Sequence, residues 1–229
     1  GDPAITIRFK VKGEENTYFL AWTTTPWTLP SNTALAVGPA IRYVKVESFN
    51  PYTAEPITVI LAKELLHNFF PKKNEELPLD GYGGDGKNIP YRVIGEYMGK
   101  DLAGVEYEQL IPWIKPDGDA FRVITGDLVT TDDDRVARQN GIAPLMVTDR
   151  AGKRQPMVDR TGKFFLIADM DPEFVKTHVD TTAYKEYEGR FVKNAYDPKL
   201  TDNDPTLDVD LCMKLKFENK VFKIEKHTH

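Results

Sequence analysis

Cysteine is almost missing from this sequence: Cys212 is the single one in 229 residues. That excludes an internal disulfide and a cysteine-rich zinc site, and it fits a reducing cytoplasm. Histidine is scarce too. His67, His178, His227 and His229 stand singly, a scatter that suits surface or core positions better than metal ligands. No apolar run approaches membrane-spanning length, and the N-terminal residues carry no signal-peptide pattern. Glycine-rich phosphate loops of the P-loop or dinucleotide-binding type are absent. Excess positive charge is lacking as well. The net charge of −5 argues against a protein that wraps nucleic acid, because phosphate contacts need clustered Lys and Arg. It leaves room for gripping one short single-stranded end.

What is present, 41% hydrophobic and 28% charged residues, describes an ordinary globular chain with ample material for a core. Ile5, Ile7, Phe9 and Val11 alternate with Thr6, Arg8 and Lys10, which predicts a half-buried strand. Residues 13–16 supply a turn, and Thr17–Trp22 returns as a second strand. Ala34–Val37, Tyr43–Glu47, Ile57–Leu61, Tyr91–Met98, Phe121–Thr131, Leu145–Thr148, Phe164–Ile167 and Val221–Glu225 are further strand candidates. Helices are expected at Lys63–Phe70, with Leu65, Leu66 and Phe69 on one face, at Asp132–Asn140 and at Pro172–Val179. Another helix is expected to open at Asp204-Pro205, with Asp as N-cap and Leu207, Leu211 and Leu215 at helical spacing. Residues 74–90 read as a surface loop. Many short strands with interspersed helices predict a mixed, mainly β fold: a closed or nearly closed β-barrel with peripheral α-helices, residues 1–229 forming a single domain.

The most unusual stretch is Trp22-Thr-Thr-Thr-Pro-Trp-Thr-Leu-Pro-Ser-Asn32. Pro26 and Pro30 cannot donate to a sheet ladder, so the strand should end near Thr25 and the chain turn away. That leaves Thr23, Thr24, Thr25, Thr28 and Asn32 clustered at a strand end, offering donors and acceptors without charge. Such a set suits a ligand with carbonyls and hydroxyls. Threonine is common in strands, but the flanking prolines, indole and amide are hard to explain as filler.

From Trp22 to Pro39 the sequence resembles the signature of the editing domain of isoleucyl-tRNA synthetase. Leucyl and valyl enzymes usually carry a Thr-Thr-Arg-Pro-Asp/Glu-Thr pattern instead, so Thr25-Pro-Trp-Thr28 points to the isoleucyl branch. The resemblance runs through almost the whole chain. It implies a β-barrel editing domain excised from a larger cytoplasmic synthetase, since the His-x-Gly-His and Lys-Met-Ser-Lys-Ser-like motifs of the ATP-dependent body are missing. It also implies hydrolysis of valine wrongly esterified to the isoleucine-accepting tRNA. No cofactor and no metal are implied. The partners would be the 3′ end of that tRNA and the remainder of the synthetase chain, with no membrane.

Carried over by resemblance, Thr24 and Asp133 would be catalytic, Asp133 holding the α-ammonium. Trp22, Thr23, Thr25, Thr28 and Asn32 would bind substrate, Trp22 as part of the wall and Asn32 as support for the threonine loop. Acidic residues such as Asp132–Asp134 in a first helical turn also complement the helix dipole and cap free N–H groups with no further role. Lys214, Lys216, Lys220, Lys223 and Lys226 suit a solvated face, although they could meet tRNA phosphates.

The chain departs from the family at one place. A Gly-Thr-Gly-φ-Val-His-x-Ala-Pro segment (φ apolar) normally precedes the aspartates, whereas here Thr131 is followed directly by Asp132. Either roughly fifteen residues are deleted or a loop is missing from the sequence as it stands; the second is preferred, because losing a pocket wall should destabilise a packed domain. A non-catalytic tRNA-end-binding insert with an incomplete pocket is the alternative function. Specificity for another amino acid, as in the leucyl or valyl enzymes, is a weaker third.

Overall fold

A computed structural model describes residues 3–126, 137–201, 203–204 and 206–226. Six strands form one sheet, from edge to edge Val221–Lys226, Pro3–Lys10, Thr17–Thr23, Pro56–Ala62, Arg42–Phe49 and Arg92–Met98. In chain order they are β1, β2, β4, β5, β6 and β10. Neighbours are antiparallel except β2 and β5, which run parallel from Thr17↔Thr58 to Phe19↔Ile60. Two further sheets have two strands each: β3 (Ala34–Val37) with β7 (Arg122–Thr125), and β8 (Met146–Thr148) with β9 (Arg154–Pro156).

The predicted mixed, sheet-rich architecture is present, but no closed barrel is found among the described residues. β10 and β6 stand as two edges of an open sheet. After Thr23 the chain leaves β2 through a 3-10 segment containing Pro26 and Pro30, and β3 then pairs with β7 rather than extending the large sheet. Proline has no N–H to offer the ladder, so the departure is imposed locally.

Burial differs from the simple alternation. Thr6 and Arg8 are only 3% and 7% exposed. β1 lies inside the sheet, and hydrophobic clusters form on two sides of it. One gathers Ile5, Ile7, Phe9, Phe19, Trp113 and Leu211; the other gathers Val44, Val59, Leu61, Phe70, Tyr91 and Phe222.

Several local expectations shift. Only Leu66–Phe69 of the segment 63–70 is α-helical, after a 3-10 turn, and Leu65 is exposed rather than sharing a buried face with Leu66. Residues 164–167 form no strand: Phe164 makes an isolated bridge to Val158, and a 3-10 turn occupies Ile167–Asp169. The C-terminal helix is Leu207–Phe217, and its N-cap is Thr206, whose hydroxyl accepts from the Val209 N–H at 3.1 Å. Asp204 accepts from the Thr201 backbone instead. The Pro172–His178 helix has the Asp171 carboxylate on the Phe174 N–H and proline at its first position, an N-terminus chemically easy to form.

Candidate functional site

The threonine stretch folds back on itself at the end of β2. Thr23, paired with Ile5 in the ladder, accepts the Thr25 N–H on its hydroxyl at 3.0 Å, and the Thr23 and Thr25 hydroxyls lie 3.3 Å apart. Pro26–Ser31 then forms one 3-10 helix. The Thr28 hydroxyl and N–H both donate to the Thr25 carbonyl, at 2.8 and 3.0 Å. Each hydroxyl keeps further donor or acceptor capacity, because one oxygen can serve three hydrogen bonds. Thr23 and Thr24 are half-buried; Thr25 and Thr28 are exposed.

Asn32 follows this turn. Its Nδ2 donates to the Ala34 carbonyl at 3.0 Å, and its Oδ1 accepts the Tyr107 hydroxyl at 2.6 Å. Tyr107 is completely buried, and that burial pushes its phenol well above the ordinary range, so it acts as a neutral donor. On the other side, Asp208 in the first turn of the C-terminal helix accepts the Trp27 N–H at 2.9 Å. Ser31 reaches Met157 Sδ at 3.7 Å.

A cleft of about 450 Å³ opens against this turn, lined by Thr28, Ser31, Asn32, Leu35, Ile124 and Ala137 among others. The structure thus brings Thr28 and Asn32 to one cleft; Thr25 is bonded to Thr28 and Thr23 to Thr25, but Thr23, Thr24 and Thr25 are not among the residues that line it. Trp22 sits elsewhere. It is 55% exposed and borders a separate hollow with Thr6, Leu65, Phe69 and Lys223. Asp133 lies outside the described residues. Ala137 stands at the cleft itself. Among the described residues no three His, Cys, Asp or Glu side chains gather as a metal site.

The residues not anticipated are Tyr107, Asp208 and Ser31. Tyr107 and Asp208 contact the motif across 75 and 181 positions, and no local pattern announces such pairs.

No family model matches the chain. Isoleucine–tRNA ligase of Bacteroides fragilis is 52% identical over 250 aligned positions, covering all of this chain and 22% of that protein. Its counterpart from Porphyromonas gingivalis is 54% identical, covering 93% of the chain and 20% of that protein. The first alignment is longer than the 229 residues here, so that relative carries residues this chain lacks. The editing-domain structure of P. falciparum cytosolic leucyl-tRNA synthetase aligns over 99% of the chain and all of its own length, at 10% identity and a TM-score of 0.43, a distant likeness. With over half its residues shared across its length, the chain belongs to the isoleucine–tRNA ligase family, as a segment spanning about a fifth of those relatives.

Proposed function

We propose that this segment is the hydrolytic editing domain of its synthetase and deacylates isoleucine-accepting tRNA that carries valine. The observation that carries this reading is the fold-back of the Trp22–Asn32 motif: it presents Thr28 and Asn32 to a cleft whose other wall includes Ala137, four residues beyond Asp133. Fixed neutral hydroxyls and an oriented amide suit the ester and terminal ribose of an aminoacyl-tRNA end.

The chemical requirements are modest. An aminoacyl ester is already activated, so water can attack once it is positioned and the developing oxyanion is stabilised. Thr24 would bind at the ester, and the carboxylate of Asp133 would hold the α-ammonium. A hydrophobic pocket converts the missing methylene of valine into only about 1–3 kcal/mol of discrimination, a figure established on synthetases of this kind and not obtained from this chain. A second cavity too small for isoleucine would supply the rest. The 3′ end of the tRNA and the remaining four-fifths of the polypeptide are the expected partners, in the cytoplasm.

The test is deacylation of valyl- and isoleucyl-tRNA for isoleucine, side by side. Loss of valine with isoleucine spared supports the reading. Hydrolysis of both keeps the esterase chemistry and removes the size filter. Asp133→Ala should abolish the reaction, and full activity in that variant removes the residue from the site. The direct junction of Thr131 with Asp132 favours one other reading, a tRNA-end-binding insert without turnover. Tight binding of an aminoadenosine analogue with no hydrolysis of either ester would select it.

A further inference from the structure

A third hollow, of about 300 Å³, lies away from the threonine cleft and shares Phe69 and Lys223 with the one beside Trp22. It sits on the hydrophobic cluster of Phe70 and Phe222, whereas Leu29 of the threonine turn belongs to the other cluster. Its walls are aromatic: Phe49, Tyr52, Phe69, Phe70 and Phe222. Phe222 lies 6.0 Å from Phe69 and 5.9 Å from Phe70 between ring centroids. Tyr52 at the rim is 45% exposed.

Cations surround this aromatic mouth. Lys216 Nζ stands 4.8 Å from the centre of the Tyr52 ring and Lys223 Nζ 5.5 Å from that of Phe69. Lys72 and Lys73 follow the lining Pro71, and Lys87 lies between the lining Gly86 and Asn88; all three lysines are exposed. Lys223 also pairs with Glu225 at 2.6 Å, so part of its charge is answered. Glu75, Glu76 and Asp85 on the same loops are exposed too, so the cations that bear on the hollow are the two placed over its rings, Lys216 and Lys223.

One polar group inside the wall is left over. Asn74 is 4% exposed and lines the hollow, and its Oδ1 is buried without a hydrogen-bond partner. Buried acceptors are nearly always satisfied, so this orphan calls for a donor at the wall of the hollow, an ordered water or a ligand.

Aromatic faces, rim cations and an unanswered amide oxygen together match one ligand chemistry. An apolar ligand would leave Asn74 and the lysines unused, and a bare anion would leave the rings unused. We propose that this hollow binds an unpaired ribonucleotide, its base against the aromatic walls, its phosphate at Lys216 and Lys223, and a ring-edge N–H answering Asn74. Stacking on aromatic side chains beside backbone-tracking cations is the usual physics of single-stranded nucleic-acid contacts. The assignment requires no hydrolysis at the threonine cleft, and the tRNA of the proposed function is one source of such a nucleotide.

The test is titration of the chain with AMP, adenosine and inorganic phosphate, followed by amide NMR, alongside binding of a short single-stranded RNA. AMP should shift the residues lining this hollow. Tyr52→Ala should weaken AMP and RNA binding roughly tenfold, as loss of one stacking platform does, while leaving the melting temperature unchanged. Lys216→Gln should weaken AMP more than adenosine. Binding of phosphate as tight as that of AMP, with no response to adenosine, would reduce the hollow to an anion patch and overturn the proposal. So would an absence of shifts in its lining, or an unaffected Tyr52→Ala. Thr24→Ala separates the two sites: lost deacylation with AMP binding retained leaves this assignment standing whatever becomes of the editing reading.

Discussion

The Tyr107 hydroxyl donates to Asn32 Oδ1 at 2.6 Å, fixing the last residue of the threonine turn to a fully buried ring. Asn32 is held at both ends of its amide, since Nδ2 also donates to the Ala34 carbonyl. Tyr107→Phe removes the donor and keeps the ring. A half-buried carbonyl oxygen left without its partner costs about 1–3 kcal/mol, readable as a lower urea midpoint. Deacylation should fall with it, because Asn32 lines the cleft. Unchanged stability and activity would mean that the Ala34 contact alone orients the amide.

A second tie joins Asp208 to the Trp27 N–H at 2.9 Å, linking the C-terminal helix to the turn. Asp208 also lies in the first turn of that helix, beside Asp210, where negative charge complements the dipole. Asp208→Asn keeps an acceptor and loses the charge; Asp208→Ala loses both. The alanine variant should be less stable by about 1–2 kcal/mol, and the asparagine variant should recover a large share of that. Equal losses would assign the whole effect to the helix dipole.

These two ties show what the sequence could and could not say. In the large sheet β1 was legible from its alternation and β2 from its aromatic and apolar run, and the turn after Thr23 because prolines forbid a ladder. The half-buried strand that the alternation of residues 5–11 predicts is buried at Thr6 and Arg8 as well, since alternation does not reveal that β1 is interior and covered on two sides. Arg8 instead lays its guanidinium 4.4 Å from the Tyr18 ring centre and donates to the Asn219 carbonyl at 2.6 Å. Thr206 replaced Asp204 as helix cap because several capping residues stand close together there, and the choice rests on tertiary position. The barrel expectation extrapolated from strand number, which fixes neither closure nor which strands pair. Of the candidate site, the local turn was readable, whereas its supports from Tyr107 and Asp208 are long-range.

Burial raises the Cys212 thiol from an ordinary value of 9.0 to about 12, and it raises the Tyr107 and Tyr184 phenols above their ordinary 10.0. The fold therefore favours the protonated forms. Their contribution to stability is fully present below the ordinary values and is lost as pH rises through and above them. Denaturation midpoints should be flat through neutrality and begin to fall near pH 9. Cys212→Ala should delay that onset toward pH 10, where the phenols take over. Native protein should also resist thiol reagents at pH 8, since the thiolate is the reactive species. Rapid labelling would show that the C-terminal helix opens locally.

The cleft beside Thr28 and Asn32 is bordered by Ala137, and the sequence passes straight from Thr131 to Asp132, where the resemblance to editing domains implies a Gly/His/Pro segment. Such a segment would supply a pocket wall and rigid backbone donors near the reacting ester. Groups of that kind are worth on the order of a hundredfold or more in rate when they position water or an oxyanion. Inserting the segment between Thr131 and Asp132 should therefore raise valyl-tRNA deacylation by about that factor, and it should spare isoleucyl-tRNA more strongly than before. If the chain already hydrolyses valyl-tRNA selectively and the insertion adds nothing, the threonine turn and the aspartates suffice, and the wall is not needed for selection. If the insertion yields no hydrolysis, the same comparison in the full-length synthetase decides: hydrolysis there assigns the loss to the missing four-fifths, and no hydrolysis there selects the binding-only reading.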